Sequence, residues 1–225
     1  MKTLKILSQV FLLVFVISCG TDKKEKNTEE TEIEVTSDGE LTGDFVVDNK
    51  NSVIKWVGSK PGGSHNGTIK IENGEMSFEK GDIVMGNFTM DMTSIEVDDL
   101  ESGDGKEDLE SHLKGTVEGK EDHFFNVTKF PKSSFQITKV DRTDGKYILN
   151  GELTIKGVTK PVEVISMLSV GANEEEIKLT SMPFKIDRTQ WGIEYMSKSI
   201  FDDLKDKFID DEIELEVMVK AKKQA

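Results

Sequence analysis

Residues Gly151 to Val164, reading GELTIKGVTKPVEV, constrain the fold of this chain more than any other stretch. Leading into them, Tyr147, Leu149, Leu153 and Ile155 alternate with Ile148, Asn150, Glu152 and Thr154, so one face of an extended segment is mostly apolar and the other mostly polar. On the far side, Val162, Val164, Leu168 and Val170 share one parity. Gly157 supplies the permissive backbone of a turn, and Pro161 sits where a strand can begin without donating a ladder hydrogen bond. Two half-apolar strands joined this way form an antiparallel hairpin whose buried face must pack against more sheet.

The rest of the chain offers that sheet. Phe45 to Asp48 and Val53 to Gly58 flank Asn49-Lys50-Asn51, with Ile54 and Trp56 on one face. His65 to Ile71 and Glu75 to Phe78 flank Glu72-Asn73-Gly74, which reads as a hairpin turn. Ile83 to Met92 places Phe88, Met90 and Met92 on one parity, and Ser134 to Val140 and Glu176 to Ile186 add further strands. Ile213, Leu215, Val217, Val219 and Ala221 alternate with Glu214, Glu216, Met218, Lys220 and Lys222 in a closing strand.

Two segments break the period. Gly105 to Gly115 predicts one short helix carrying Leu109 and Leu113, with Asp104 as N-cap and Gly115 as the stop. Met196, Ile200, Phe201, Leu204 and Phe208 at helical spacing predict an amphipathic cap helix. Between the first helix and the next strand, Asp122 to Val127 contains Phe124 and Phe125 and closes on Phe130-Pro131; it is too apolar for a solvated loop and is expected to plug one end of a core or line a cavity. About eight to ten antiparallel strands with one apolar face each make an all-β domain, either a barrel or a sandwich. A barrel of about eight strands can hold one small ligand.

The first forty residues do not belong to that domain. Residues 1–18 carry Lys2 and Lys5 ahead of the apolar run Ile6 to Ile17, a run too short for a comfortable membrane span, and read as a signal peptide. Cys19, the single cysteine, stands where the lipobox of bacterial lipoproteins places its acylated residue, so a disulfide or a buried thiol is not expected. Residues 19–40 then form a charged, low-apolar tether, reaching about 25 Å for a flexible chain of that length. Residues 41–225 are the domain. Gly20 after the cysteine, in place of Asp, favours the outer membrane of a bacterial envelope, on its periplasmic or surface face. With 29 Lys plus Arg against 43 Asp plus Glu, the formal charge is −14. Nucleic acid and anionic membrane surfaces are poor partners for that balance.

Signals for chemistry are few. His65, His112 and His123 lack metal-ligand spacing, and no nucleophile motif or phosphate-cradling loop is present, so no metal, cofactor or catalytic residue is assigned. His65, in PGGSHNG, reads first as a hydrogen-bonded structural residue and second as a catalytic one, a general base of an enzyme using the same cavity. Arg188 beside Asp187 reads either as an ion pair at a strand end or, if it points inward, as a clamp for a polar head group. Trp56, Phe88, Phe135 and Trp191 are core aromatics unless the interior is unfilled.

Several segments, taken in order, resemble the YceI-like family of periplasmic, secreted or lipid-anchored polyisoprenoid-binding proteins. They are DFVVD at 44–48 with SVIKW at 52–56, SHNGTI at 64–69, GNFTMDMTSI at 86–95, the stretch from Leu113 through Phe124-Phe125 to Phe130-Pro131, Gly151 to Val162, IDRTQWG at 186–192 and DEIEL at 211–215. The resemblance implies a lipocalin-like, extended eight-stranded antiparallel barrel with short helical inserts. It also implies an apolar tunnel for a quinone, a polyprenyl phosphate or a fatty-acid-like amphiphile, and no enzymatic activity. On that basis Trp56, His65, Phe88, Phe124, Phe125, Phe135, Arg188 and Trp191 become candidate ligand contacts, with His65 and Arg188 orienting the head. Cys19 anchors the protein to the membrane, and a homodimer is compatible with the reading. The acidic, glycine-rich flanks of the short helix, Asp98 to Gly105 and Gly115 to Asp122, depart from the family pattern at the mouth.

Overall fold

A computed structural model describes residues 41–224. The expected signal peptide, lipidated Cys19 and tether lie outside the described residues. In order, the elements are β1 (Gly43–Val47), β2 (Val53–Lys60), β3 (Gly63–Glu79), β4 (Asp82–Val97), α1 (Lys106–Lys114), β5 (Lys132–Thr143), β6 (Lys146–Ile155), β7 (Val158–Val170), β8 (Glu176–Ser181), β9 (Phe184–Asp187) and β10 (Glu212–Lys223). Every pairing between them is antiparallel. Strands β2 to β8 follow one another around a ring that β10 closes, pairing with β2 on one side and β8 on the other. β1 lies across β10 and the second half of β3, and β9 extends β10. The result is the eight-stranded barrel. Closure satisfies the edges that open sheets leave unpaired.

The β6–β7 hairpin forms as its alternation predicts. Lys156 and Gly157 both take positive φ, 49° and 76°, the two-residue turn that matches strand twist, and Ile155 pairs with Val158 across it. Tyr147, Leu149, Leu153 and Ile155 are buried, as are Val164 and Val170. Pro161 lies inside β7 rather than at its start, opposite Glu152. β8 pairs only with Ser166 to Val170, so the missing N–H at Pro161 interrupts no ladder on that side.

Three further expectations fail. Glu72-Asn73-Gly74 is not a hairpin turn: β3 runs straight through it, with a register shift between Ile71 and Asn73. Gly74 marks a close approach there, since a Cβ would press on Phe88, the Asn87 carbonyl and Val47. β1 pairs with the strand immediately beyond, which extends it. Asp104 does not cap α1; Gly105 holds that place at φ 90° without a side-chain bond. The first turn is instead tied down by Glu107, which accepts from Ser102 Oγ and the Gly103 N–H. Gly115 does terminate the helix in the left-handed region.

The predicted cap helix over 196–208 is absent. The segment is a run of turns with one 3-10 turn at Lys205–Lys207, and Met196, Asp203 and Lys205 have positive φ that an α-helix excludes. Its backbone bonds elsewhere: Ile209 N–H donates to Met196 O and Asp210 N–H to Ser59 O. Leaving the helix unformed leaves Ile200 and Phe201 largely exposed.

Candidate functional site

Inward parity on the strands fills one end of the barrel and leaves space toward the other. At the filled end Phe45 and Phe78 meet edge to face at 5.4 Å, and Tyr147 buries its ring while its hydroxyl donates to Gly81 O at 2.6 Å. Beyond them lie two cavities, of about 420 Å³ and about 90 Å³. Both are bordered by Ile54, Met90, Leu153 and Leu215, which therefore form a waist between them. The larger falls within the roughly 300–1,000 Å³ of small-molecule sites. The smaller is apolar except for Ser166 and Ser181.

The larger cavity is covered by segments outside the ring. α1 contributes Leu109, His112 and Leu113; the following loop contributes Phe124 and Phe125; and the excursion between β9 and β10 contributes Trp191, Ile193, Tyr195, Met196 and Ile209. α1 is pinned to the barrel by Glu110, which accepts the Val97 N–H at 3.0 Å, and by Lys106, 3.2 Å from Glu96. Phe125 and Val127 donate their backbone N–H groups to Leu113 O and Leu113's neighbour Lys114 O, which folds the loop back on the helix.

Of the eight sequence-derived contacts, Trp56, His65, Phe124, Phe125, Arg188 and Trp191 line the larger cavity. Phe88 and Phe135 line the smaller one. Phe124 and Phe125 thus form cavity wall. Trp191 donates its indole N–H to Leu153 O at 3.1 Å. The Trp56 indole N–H is buried and, among the described residues, meets no acceptor. A buried donor left this way is unfavourable by about 1–3 kcal/mol and is a natural place for a ligand oxygen.

His65 pairs with Gly58 on β2, two positions from Trp56, so the two side chains are diagonal neighbours on the inner face. Its Nδ1 lies 2.9 Å from Asp99 Oδ2, while Asp99 Oδ1 accepts the Asn66 N–H. Burial pushes the Asp99 carboxyl up, but the Asn66 N–H and His65 outweigh it and hold its pKa below the ordinary value. The ring is oriented by this pair, which engages Nδ1 and leaves Nε2 outside it.

Arg188 is 1% exposed. Nε donates to Asp210 O, Nη1 to Ile193 O and Nη2 to Ile209 O, at 2.9, 2.6 and 2.9 Å. Its acidic partner is Asp211, 3.7 Å from Nη2, rather than the adjacent Asp187. Asp187 instead caps the 3-10 turn Arg188–Trp191 by accepting from Thr189. Burial lowers the guanidinium pKa, opposed by Asp211, Asp187 and Asp210. The hydrogen bonds make Arg188 the staple of the excursion.

Sequence spacing gave no sign of a further cluster. His112 Nε2 and His123 Nδ1 are 2.9 Å apart, His123 stacks on Tyr195 with centroids 4.0 Å apart, and His112 meets Phe124 and Tyr195 edge-on at 5.1 Å. The two histidines are eleven residues apart, and only the loop's return onto α1 brings them together. Among the described residues no group of three or more His, Cys, Asp or Glu side chains is placed to hold a metal ion.

The YceI-like domain model matches residues 45–221. The chain belongs to the YceI-like family. This YceI-like barrel is similar in structure to BcnA of Burkholderia cenocepacia, with a TM-score of 0.60 at 18% identity over 77% of this chain and 98% of that one. It is also similar to a polyisoprenoid binding domain from Saccharophagus degradans, with a TM-score of 0.56 at 11% identity over 81% and 99%. At these identities the likeness concerns the fold. In sequence it is 38% identical over 65 residues to a UPF0312 protein of Yersinia pestis, covering 29% of this chain and 31% of that protein. It is 30% identical over 98 residues to one from Photorhabdus laumondii, covering 43% and 44%. The matched segments thus span less than half the length of these curated relatives.

Proposed function

We propose that the barrel binds, sequesters or carries an isoprenoid of the quinone or polyprenyl type, or another long-chain amphiphile, without chemical conversion. The observation that carries this reading is the pair of apolar cavities in series, which share Ile54, Met90, Leu153 and Leu215 as a common border. Such a shape suits a chain rather than a compact molecule. Burial of the tail supplies the driving force, about 0.8 kcal/mol per CH₂ before ordering costs. The name of the Saccharophagus neighbour agrees with a lipid ligand. Because Arg188 is committed to backbone carbonyls, the polar contacts for a head group fall to the Trp56 indole N–H and to His65.

In the same proposal, acylated Cys19 anchors the protein to the outer membrane and residues 20–40 tether the barrel beside its lipid source. The test is a titration with ubiquinones of increasing tail length, read by quenching of Trp56 and Trp191. Affinity should rise with each isoprenoid unit until the second cavity is full. No quenching at any tail length would refute the reading.

A further inference from the structure

The pieces that cover the larger cavity are three separate stretches of chain, and they meet at one cluster of rings. His112 comes from α1, His123 and Phe124 from the loop after it, and Tyr195 from the excursion between β9 and β10. His112, Phe124 and Tyr195 also border the cavity, so anything passing into it on this side moves past them. We infer that the His112–His123 hydrogen bond, with Tyr195 stacked on it, is a proton-operated clasp that holds the cover shut near neutral pH and releases it in mild acid.

The geometry sets the rule for opening. A bond between two imidazole nitrogens needs one nitrogen to donate and the other to accept, so at most one of the two rings can be charged. The neutral pair and the singly protonated pair both keep the 2.9 Å contact. A second proton leaves two donors facing each other and two like charges in partly buried surroundings, and the contact must break. Burial, then the neighbouring His123 and Lys120, already hold His112 below the ordinary histidine pKa. The closed form therefore binds the second proton poorly, and the open form binds it well. Sign follows from that difference: closure is favoured above the ordinary histidine value of about 6.5 and weakens as pH falls below it.

Among the described residues no carboxylate is paired with either ring of the clasp. Facing the pair are Lys120 from the loop and the Tyr195 phenol from the excursion. Asp122 lies next to His123, but it accepts from Asn126 and sits 3.9 Å from Lys156, which also feels Glu194. On α1 itself Glu110 is engaged by Lys114 and the Val97 N–H. His65, the other histidine at the cavity, is tied to Asp99 and is not part of the cluster.

This inference rests on the lipid-binding reading only for its use, and its test has an arm that needs no ligand. Hydrogen exchange, corrected for intrinsic rate, is followed at the amides of Phe125 and Val127, whose bonds to Leu113 O and Lys114 O record the closed loop. Protection at these amides should fall about tenfold or more between about pH 7.5 and about pH 5. In His123→Phe, which keeps a ring against Tyr195 and removes the titrating pair, the change should shrink to within about twofold. In parallel, release of a ubiquinone with two isoprenoid units from loaded protein into vesicles of neutral phosphatidylcholine should quicken over the same pH range in the parent chain and not in the variant. Protection that is constant with pH in the parent, or that falls equally in His123→Phe, overturns the clasp. Failure of the quinone to bind at about pH 7.5 counts against the lipid reading alone, while the exchange result still decides the clasp.

Discussion

Replacing Arg188 by Met separates a residue that builds the cover from one that reads a head group. The guanidinium has three donors on the carbonyls of Ile193, Ile209 and Asp210 and an acidic neighbour, Asp211, whose side chain is only 13% exposed. Methionine fills the stem's space but leaves those carbonyls without their donors and a largely buried carboxylate without its countercharge. Hydrogen bonds to charged groups contribute about 1.5–3 kcal/mol each, yet they do not add in full, because the bonds to the Ile209 and Asp210 carbonyls are only partly buried and water replaces part of that loss. Breaking one side of a buried ion pair by itself costs about 3–5 kcal/mol. That range is taken as the expected loss for Arg188→Met. A domain of this size then melts about 6–20 °C lower. Urea unfolding of parent and variant, with equal slopes, measures the difference. A loss under about 1 kcal/mol, together with a tenfold or greater fall in quinone affinity, would show Arg188 acting on ligand and refute the staple.

Leu153→Trp at the waist should close the smaller cavity to a tail; excluding about three methylenes at about 0.8 kcal/mol each lowers affinity for the longest quinone about fiftyfold, while the shortest changes little. Gly151→Val places a side chain against the Phe135 ring and the Gln136 carbonyl, and denaturant unfolding should show a loss of about 1–3 kcal/mol or more from overpacking. Glu107, held by Ser102 Oγ and the Gly103 N–H, has its pKa lowered from 4.5 to about 2. A depressed carboxyl stabilises the first turn of α1 above its ordinary value and loses that effect as pH falls toward its folded one. Amide protection in that turn should therefore decline between about pH 4.5 and about pH 2 in the parent and show no such step in Glu107→Gln.

The barrel was legible where side chains alternate without interruption. Tyr147 to Ile155 and Ile213 to Ala221 face as their parity requires, because burial on one side of a strand admits a single register. It was not legible where tertiary contacts override local preference. Asn73-Gly74 has the composition of a turn, yet β1 pairs beyond it and draws the strand straight. Met196 to Phe208 has helical spacing, but Arg188, 22 residues from Asp210, takes the carbonyls that flank it. The lining of the larger cavity could be anticipated in part, since aromatics at the ends of inward-facing runs border any space left inside. Waist and clasp could not. Ile54, Met90, Leu153 and Leu215 come from four strands, and His112 meets His123 through a loop whose path no local pattern encodes.

Native mass spectrometry of the protein purified from its own host, with extraction and identification of what it carries, decides whether the barrel holds a lipid. A stoichiometric long-chain lipid is expected, displaced by a ubiquinone that quenches Trp56 and Trp191. A ligand-free protein whose tryptophans respond to no quinone, isoprenoid or fatty acid would contradict the lipid-binding reading.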